Sequence, residues 1–143
     1  MLNYQDKKNE LKSLKAELNT AYQGINPDKV RARIAELEAA QNAEGFWNDV
    51  ENAQKVSRES SQLMRKLERF EKLLGEIDDA VETVDIVELE NSEEEDAALL
   101  QRIAQLGEEV EHLTLSTLLS GKYDAHNAIL TLHAGAGGTE AQD

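Results

Sequence analysis

Apolar residues recur along most of this chain at three- and four-residue steps, the spacing that lines one face of an α-helix. Leu11, Leu14, Leu18 and Tyr22 step by 3-4-4 and predict a first helix from about Leu2 to Gln23. Gly24 marks its end, since glycine readily takes the left-handed backbone at a helix stop. Asn26, Pro27 and Asp28 read as cap, first helical residue and first-turn acid of a second helix. Val30, Ile34 and Leu37 give that helix one apolar face, which ends near Asn42 and before Gly45. Phe46 and Trp47 are adjacent large aromatics, and two neighbours cannot share one narrow helical stripe. The pair is expected to plug the helix junction as buried anchors, with an exposed recognition role as the alternative. Asn48 or Asp49 caps the next helix.

The longest pattern begins at Val56 and is most regular from Leu63. Leu63, Leu67, Phe70, Leu74, Ile77, Val81 and Val84 alternate steps of four and three, the seam spacing of a coiled coil. Ser92, with Glu95 three residues later, reads as a capping box. The acids between and beside them suit a helix N-terminus. Leu99, Ile103, Leu106, Val110 and Leu113 repeat the 4-3-4-3 step. Two helices of matching period and short connection predict an antiparallel hairpin, each arm about 35–40 Å long, with an exposed tip near Asn91.

The helical pattern stops at Leu119, Ser120 and Gly121. Residues 128–133 then read as a strand, and the glycine-rich Ala134 to Asp143 as a turn at its end. A lone strand cannot form a sheet. The expected fold is therefore an all-α antiparallel helical bundle with a long coiled-coil-like hairpin, followed by the first strand of a truncated α/β domain. Residues 1–121 form the helical domain in this reading, and 122–143 begin the second.

Composition sharpens the picture mainly through charge. The 143 residues carry 29 acidic and 15 basic side chains, for a net of -14 with histidine neutral. Up to Gly75 the charges nearly balance, with 12 acids against 13 bases. From Glu76 to Glu111, 14 acids meet only Arg102. Such polarity argues against broad phosphate-backbone binding and for a basic protein partner. The absence of cysteine excludes disulfides, thiolate metal sites and a cysteine nucleophile. No apolar run reaches membrane-spanning length and no signal-peptide pattern opens the chain, so a cytoplasmic protein without membrane contact is expected.

Catalytic chemistry is hard to place. The glycine-rich end lacks the lysine of a phosphate loop, with Thr139 following Gly138, and it has no helix after it to receive a pyrophosphate. His112, His126 and His133 fall in no metal-ligand spacing. Paired acids such as Asp78 with Asp79 and Glu108 with Glu109 read as a solvated face, because a catalytic dyad needs burial to split its pKa values. The chain is therefore read as having no catalytic, cofactor or metal site. The candidate contact residues are Glu93, Glu94, Glu95 and Asp96 at the hairpin tip.

Two stretches carry a family resemblance. Leu119-Ser120-Gly121-Lys122-Tyr123-Asp124, then Asn127-Ala128-Ile129-Leu130, and finally HAGAGGTEAQD from His133 to Asp143, resemble a domain boundary in the bacterial peptide chain release factors. Gly45-Phe46-Trp47-Asn48-Asp49, with Ala53 and Gln54, is similar to a motif in the first domain of that family. The Gly-Ala-Gly-Gly-Thr-Glu-Ala-Gln-Asp ending resembles the release factor 2 branch, where the factor 1 branch typically shows Gly-Thr-Gly-Gly-Asp-Glu-Ala-Ala.

The resemblance implies a cytoplasmic translation termination factor that recognises UAA and UGA and triggers hydrolysis of peptidyl-tRNA. Its Ser-Pro-Phe and Gly-Gly-Gln tripeptides do not occur here, and Gly137-Gly138-Thr139 is not a substitute. The segment present resembles the N-terminal helical domain. That implies contact with the stalk-base region of the ribosome and with the class II release-factor GTPase, while RNA contact falls mainly to absent domains. From the residues alone, a free-standing acidic hairpin adaptor or chaperone-like scaffold remains the alternative. The hairpin seam is also long enough to pair with a second copy.

Overall fold

Asn3, Asn26, Asp49 and Ser92 each place a side-chain oxygen on the backbone amide three residues ahead, at 3.0, 3.4, 3.1 and 3.4 Å. Each satisfies one of the unpaired donors at a helix start, a contribution of about 1 kcal/mol per cap. Four α-helices begin at these caps in the computed structural model, which describes residues 2–120. They are α1 (Tyr4–Gly24), α2 (Pro27–Gln41), α3 (Val50–Glu90) and α4 (Glu93–Leu119), with a 3-10 turn at Phe46–Asn48. The expected strand at 128–133, the glycine-rich end and the second domain lie outside the described residues. Within them the fold is an all-α bundle, and no strand occurs.

The spine is α3. Its 41 residues span about 60 Å, whereas the 27 residues of α4 span about 40 Å. The hairpin arms are therefore unequal, because α3 starts at Val50, ahead of the Val56 at which the apolar pattern begins. The extra length of α3 packs against α2 and the 3-10 turn. There Leu37, Phe46 and Ala53 are buried outside the main core.

The α4 seam is as its spacing predicts, with Leu99, Ile103, Leu106, Val110 and Leu113 all buried. On α3 the stripe differs. Leu67, Phe70, Leu73, Ile77, Ala80, Val84 and Val87 are buried, while Leu63, Leu74 and Val81 are partly buried at the edge of the core. The reason is a third helix. Because α1 packs on both α3 and α4, the α3 stripe widens beyond the seam of a two-stranded coiled coil.

Polar contacts fix the register of α1 on α3. Lys8 reaches Asp85 at 3.1 Å, Lys15 reaches Asp78 at 2.7 Å, and Tyr22 donates to Glu71 at 2.7 Å. Each step of seven forward on α1 meets a step of seven backward on α3, so the helices run antiparallel in a constant register. Leu11 and Leu18 follow the same interval on the buried face and are fully inaccessible.

Two local expectations need correction. The left-handed residue after α1 is Asn26, with φ 57°, and Gly24 is the last residue of the helix itself. Asparagine tolerates that conformation through its short polar side chain, and here the same side chain caps α2. The aromatic pair divides as well: Phe46 is buried, but Trp47 is 64% exposed. Their rings meet edge to face at 4.9 Å, so Phe46 anchors the turn and Trp47 stacks outside it.

Candidate partner-contact surface

The hairpin tip is built by two residues with opposite tasks. Asn91 ends α3 in the left-handed conformation, φ 51°, and its amide donates to the Val87 carbonyl at 3.3 Å. Ser92 then returns to extended backbone and caps α4. The next four residues, Glu93, Glu94, Glu95 and Asp96, fall in the first turn of α4. Acids placed there complement the positive end of the helix dipole, by about 0.3–1 kcal/mol each at an exposed site.

The four acids share a turn but not an environment. Glu93, Glu94 and Glu95 are exposed, whereas Asp96 is half-buried and accepts a 2.6 Å hydrogen bond from the Tyr4 phenol. That bond to Asp96, with some loss of water contact, raises the Tyr4 pKa above its ordinary value near 10. Ile86 and Leu89 lie close by in sequence on the last turns of α3, and both are exposed. The tip therefore offers apolar surface among its carboxylates, which the charge count alone does not reveal.

Farther down, the acidic flank of α3 is partly neutralised by α1 through Lys8 and Lys15. Near the other end, Tyr22 donates to Glu71 while accepting from Arg31 at 2.6 Å, and Arg31 also donates to Glu71 at 2.9 Å. The Tyr22 and Arg31 hydrogen bonds hold the Glu71 carboxyl below the usual carboxylate range. Arg33 grips Glu59 with two nitrogens at 2.8 and 3.1 Å. These exposed pairs set the register of α2 on α3 more than they add stability.

Between α3 and α4 runs a groove lined by Arg69, Lys72, Glu76, Glu108, Glu109 and His112. It continues past Arg65, Lys66, Ser116, Thr117 and Ser120. Charge counted along the sequence makes this half of the chain neutral on average and misses the surface. The i, i+4, i+7 spacing of Arg65, Arg69 and Lys72 is the signal that could have found it. Among the described residues, no three His, Asp or Glu side chains are placed to hold a metal ion.

A PCRF domain matches residues 30–143, from within the first turn of α2 onward. The chain belongs to the PCRF domain family. It is 38% identical over 133 residues to peptide chain release factor 2 of Wolinella succinogenes, which covers 93% of this chain and 36% of that relative. Peptide chain release factor 2 of Clostridium perfringens strain SM101 is 38% identical over 136 residues, 95% of this chain and 35% of its own length. The Exiguobacterium protein of the same name is 38% identical over 138 residues, 96% of this chain and 38% of its own. No solved structure matches. The chain thus spans just over a third of the length of these curated relatives. The PCRF match takes in the acidic tip and the α3–α4 groove, while α1 lies before it. None of the described helices is long and apolar enough to cross a membrane.

Proposed function

We propose that this PCRF-family chain is the N-terminal helical part of a release factor 2-type translation termination factor acting in the bacterial cytoplasm. The observation that carries the reading is 38% identity to release factor 2 over 93% of the chain. In this reading the whole protein recognises UAA and UGA on the ribosome and triggers peptidyl-tRNA hydrolysis. Codon reading and hydrolysis belong to other parts of that protein, and residues 1–121 act as a non-catalytic contact domain.

The contact role rests on the tip. Glu93, Glu94 and Glu95 are exposed around the first turn of α4 at the end of the hairpin, while Tyr4 of α1 donates a hydrogen bond to Asp96. We infer that this end meets basic surfaces at the ribosomal stalk base or on the class II release-factor GTPase. Charge complementarity of this kind acts chiefly on encounter rate and partner choice.

The test uses the full-length factor. Stop-codon-dependent peptide release on UAA and UGA ribosomes, with little on UAG, is the expected activity, and its absence would overturn the termination reading. Reversal of Glu93, Glu94 and Glu95 to lysine is expected to leave release by saturating factor intact. It should weaken low-salt ribosome binding or GTPase-dependent recycling about tenfold. Unchanged binding and recycling would show that the acids serve only solubility and the helix dipole.

A further inference from the structure

The two ends of α3 are covered very differently. Between Leu67 and Val87 it buries Leu67, Phe70, Leu73, Ile77 and Val84 in the main core, against α1 and α4. From Val50 to Gln62 it buries only the small side chains of Ala53 and Ser60. Helix length explains the change. The 27 residues of α4 run back from the tip to about Leu63, and α1 ends near Glu71, which Tyr22 reaches. Among the described elements, α2 and the 3-10 turn are left to cover the first turns of α3. Beyond Ile34 the large side chains they bury are Leu37 and Phe46, and neither belongs to the main core.

We propose that the second half of α2, the 3-10 turn and the first turns of α3, residues 35–59, form a strap that opens as one unit while the α1–α3–α4 core stays packed. The fixed end of the strap is the start of α2. There Ile34 joins the main core, and Arg31 donates to both Tyr22 and Glu71, tying α1, α2 and α3 at one point. Arg33 grips Glu59 at the boundary, but both side chains are exposed, and exposed ion pairs contribute little. Within the strap, Gln41 reaches Ser57 at 3.5 Å, long for a hydrogen bond.

Helical segments without a broad packed face are marginal in water, because ordering each residue costs backbone entropy. In the strap that cost is offset mainly by Leu37 and Phe46, whereas the core offsets it with a continuous apolar stripe. Opening breaks few buried contacts, so it requires less free energy than global unfolding. Trp47 and Val50 are exposed at this end already, and opening adds Leu37, Phe46 and Ala53 to them. The strap thus controls how much apolar surface appears at the end of the hairpin remote from the acidic tip. The inference concerns opening within this chain and does not depend on the termination reading.

The experiment is hydrogen exchange of the 143-residue chain, read by mass spectrometry across a series of low denaturant concentrations. Amides of residues 37–41 and 54–58 are expected to exchange at least about tenfold faster than those around Ile77 and Leu106, with one shared and weaker denaturant dependence. Phe46→Ala should speed exchange in both strap segments about tenfold or more and leave the core rates within about twofold. Phe46→Leu is milder and should move the same segments in the same direction, which keeps the test valid if the alanine variant folds poorly. A single opening free energy and denaturant slope for strap and core would overturn the proposal, as would Phe46 variants that accelerate both alike. Fast exchange confined to residues 42–49, with 37–41 and 54–58 protected like the core, would reduce the strap to an ordinary loop and overturn it too.

Discussion

The Tyr4 phenol donates a 2.6 Å hydrogen bond to Asp96 across 92 positions of sequence, fastening the first turn of α1 to the first turn of α4. The bond closes the tip end of a three-helix packing in which Lys8 to Asp85, Lys15 to Asp78 and Tyr22 to Glu71 run from α1 to α3. Without it, the N-terminal turn of α1 has only the Asn3 cap and partly buried Leu2 and Tyr4 to hold it down. Tyr4→Phe keeps the ring and removes the donor. It is expected to raise amide exchange in the first turn of α1 and lower the denaturation midpoint, with exchange around Leu106 unchanged. Equal exchange rates in wild type and variant would show that ring packing alone secures the turn.

Alkaline pH tests the same contact and its counterpart at the other end of α1. Both phenols have pKa values raised above 10.0, Tyr4 chiefly by its bond to Asp96 and Tyr22 chiefly by burial and then by its bond to Glu71. A raised folded-state pKa means that the protonated phenol favours folding. Its contribution is complete below pH 10 and is lost as pH rises through the raised values. Urea midpoints should therefore fall above pH 10. The double variant Tyr4→Phe with Tyr22→Phe should start lower and lose less over that range, and parallel curves would contradict the linkage.

Much of this architecture is legible in the sequence because it depends on local grammar. The caps at Asn26, Asp49 and Ser92 and the α4 seam from Leu99 to Leu113 follow from spacing and cap chemistry. The third partner of the hairpin does not. Spacing shows that Leu11 and Leu18 share a face, but not that this face closes over both α3 and α4, and so it draws the α3 stripe too narrowly. Trp47 escapes for a similar reason: hydrophobicity favours burial of both aromatics, and only the turn geometry decides that Phe46 points inward. At the candidate site, the acids are visible as a block, while the engagement of Asp96 by Tyr4 depends on a tertiary register. The pairing of Glu71 and Glu59 by Arg31 and Arg33 is hidden for the same reason, since it joins α3 to another helix.

Mildly acidic pH sets two carboxyls against each other. Partial loss of water contact, with the nearby Glu111 carboxylate, raises the Glu17 pKa above 4.5, so its charged form opposes folding. That cost is relieved as pH falls toward the ordinary value. Hydrogen bonds from Tyr22 and Arg31 lower the Glu71 pKa, so its contribution is present above 4.5 and disappears as pH falls through the depressed value. Glu17→Gln should stabilise the protein at pH 7 by less than about 1 kcal/mol, because the site is open to solvent, and the gain should vanish by about pH 4. A gain that persists there would point to packing of the amide.

Leu106 and Leu89 separate the two things a leucine does in this hairpin. Leu106 is fully buried in the seam where α4 faces the bundle, while Leu89 is 86% exposed on the last turn of α3 beside the acidic tip. Leu106→Ala removes methyl groups from a closed site, and the expected loss is about 2–5 kcal/mol of unfolding free energy. Leu89→Ala removes no buried contact, and a change within about 0.5 kcal/mol is expected from denaturant unfolding. Leu89 contributes little to the fold, so its removal tests the tip as a contact surface separately from stability. On the contact role proposed for the tip, Leu89→Ala in the full-length protein is expected to reduce ribosome or GTPase binding while leaving stability unchanged. Unaltered binding would remove Leu89 from the proposed contact, and a large stability loss would show that Leu89 is covered by another part of the protein.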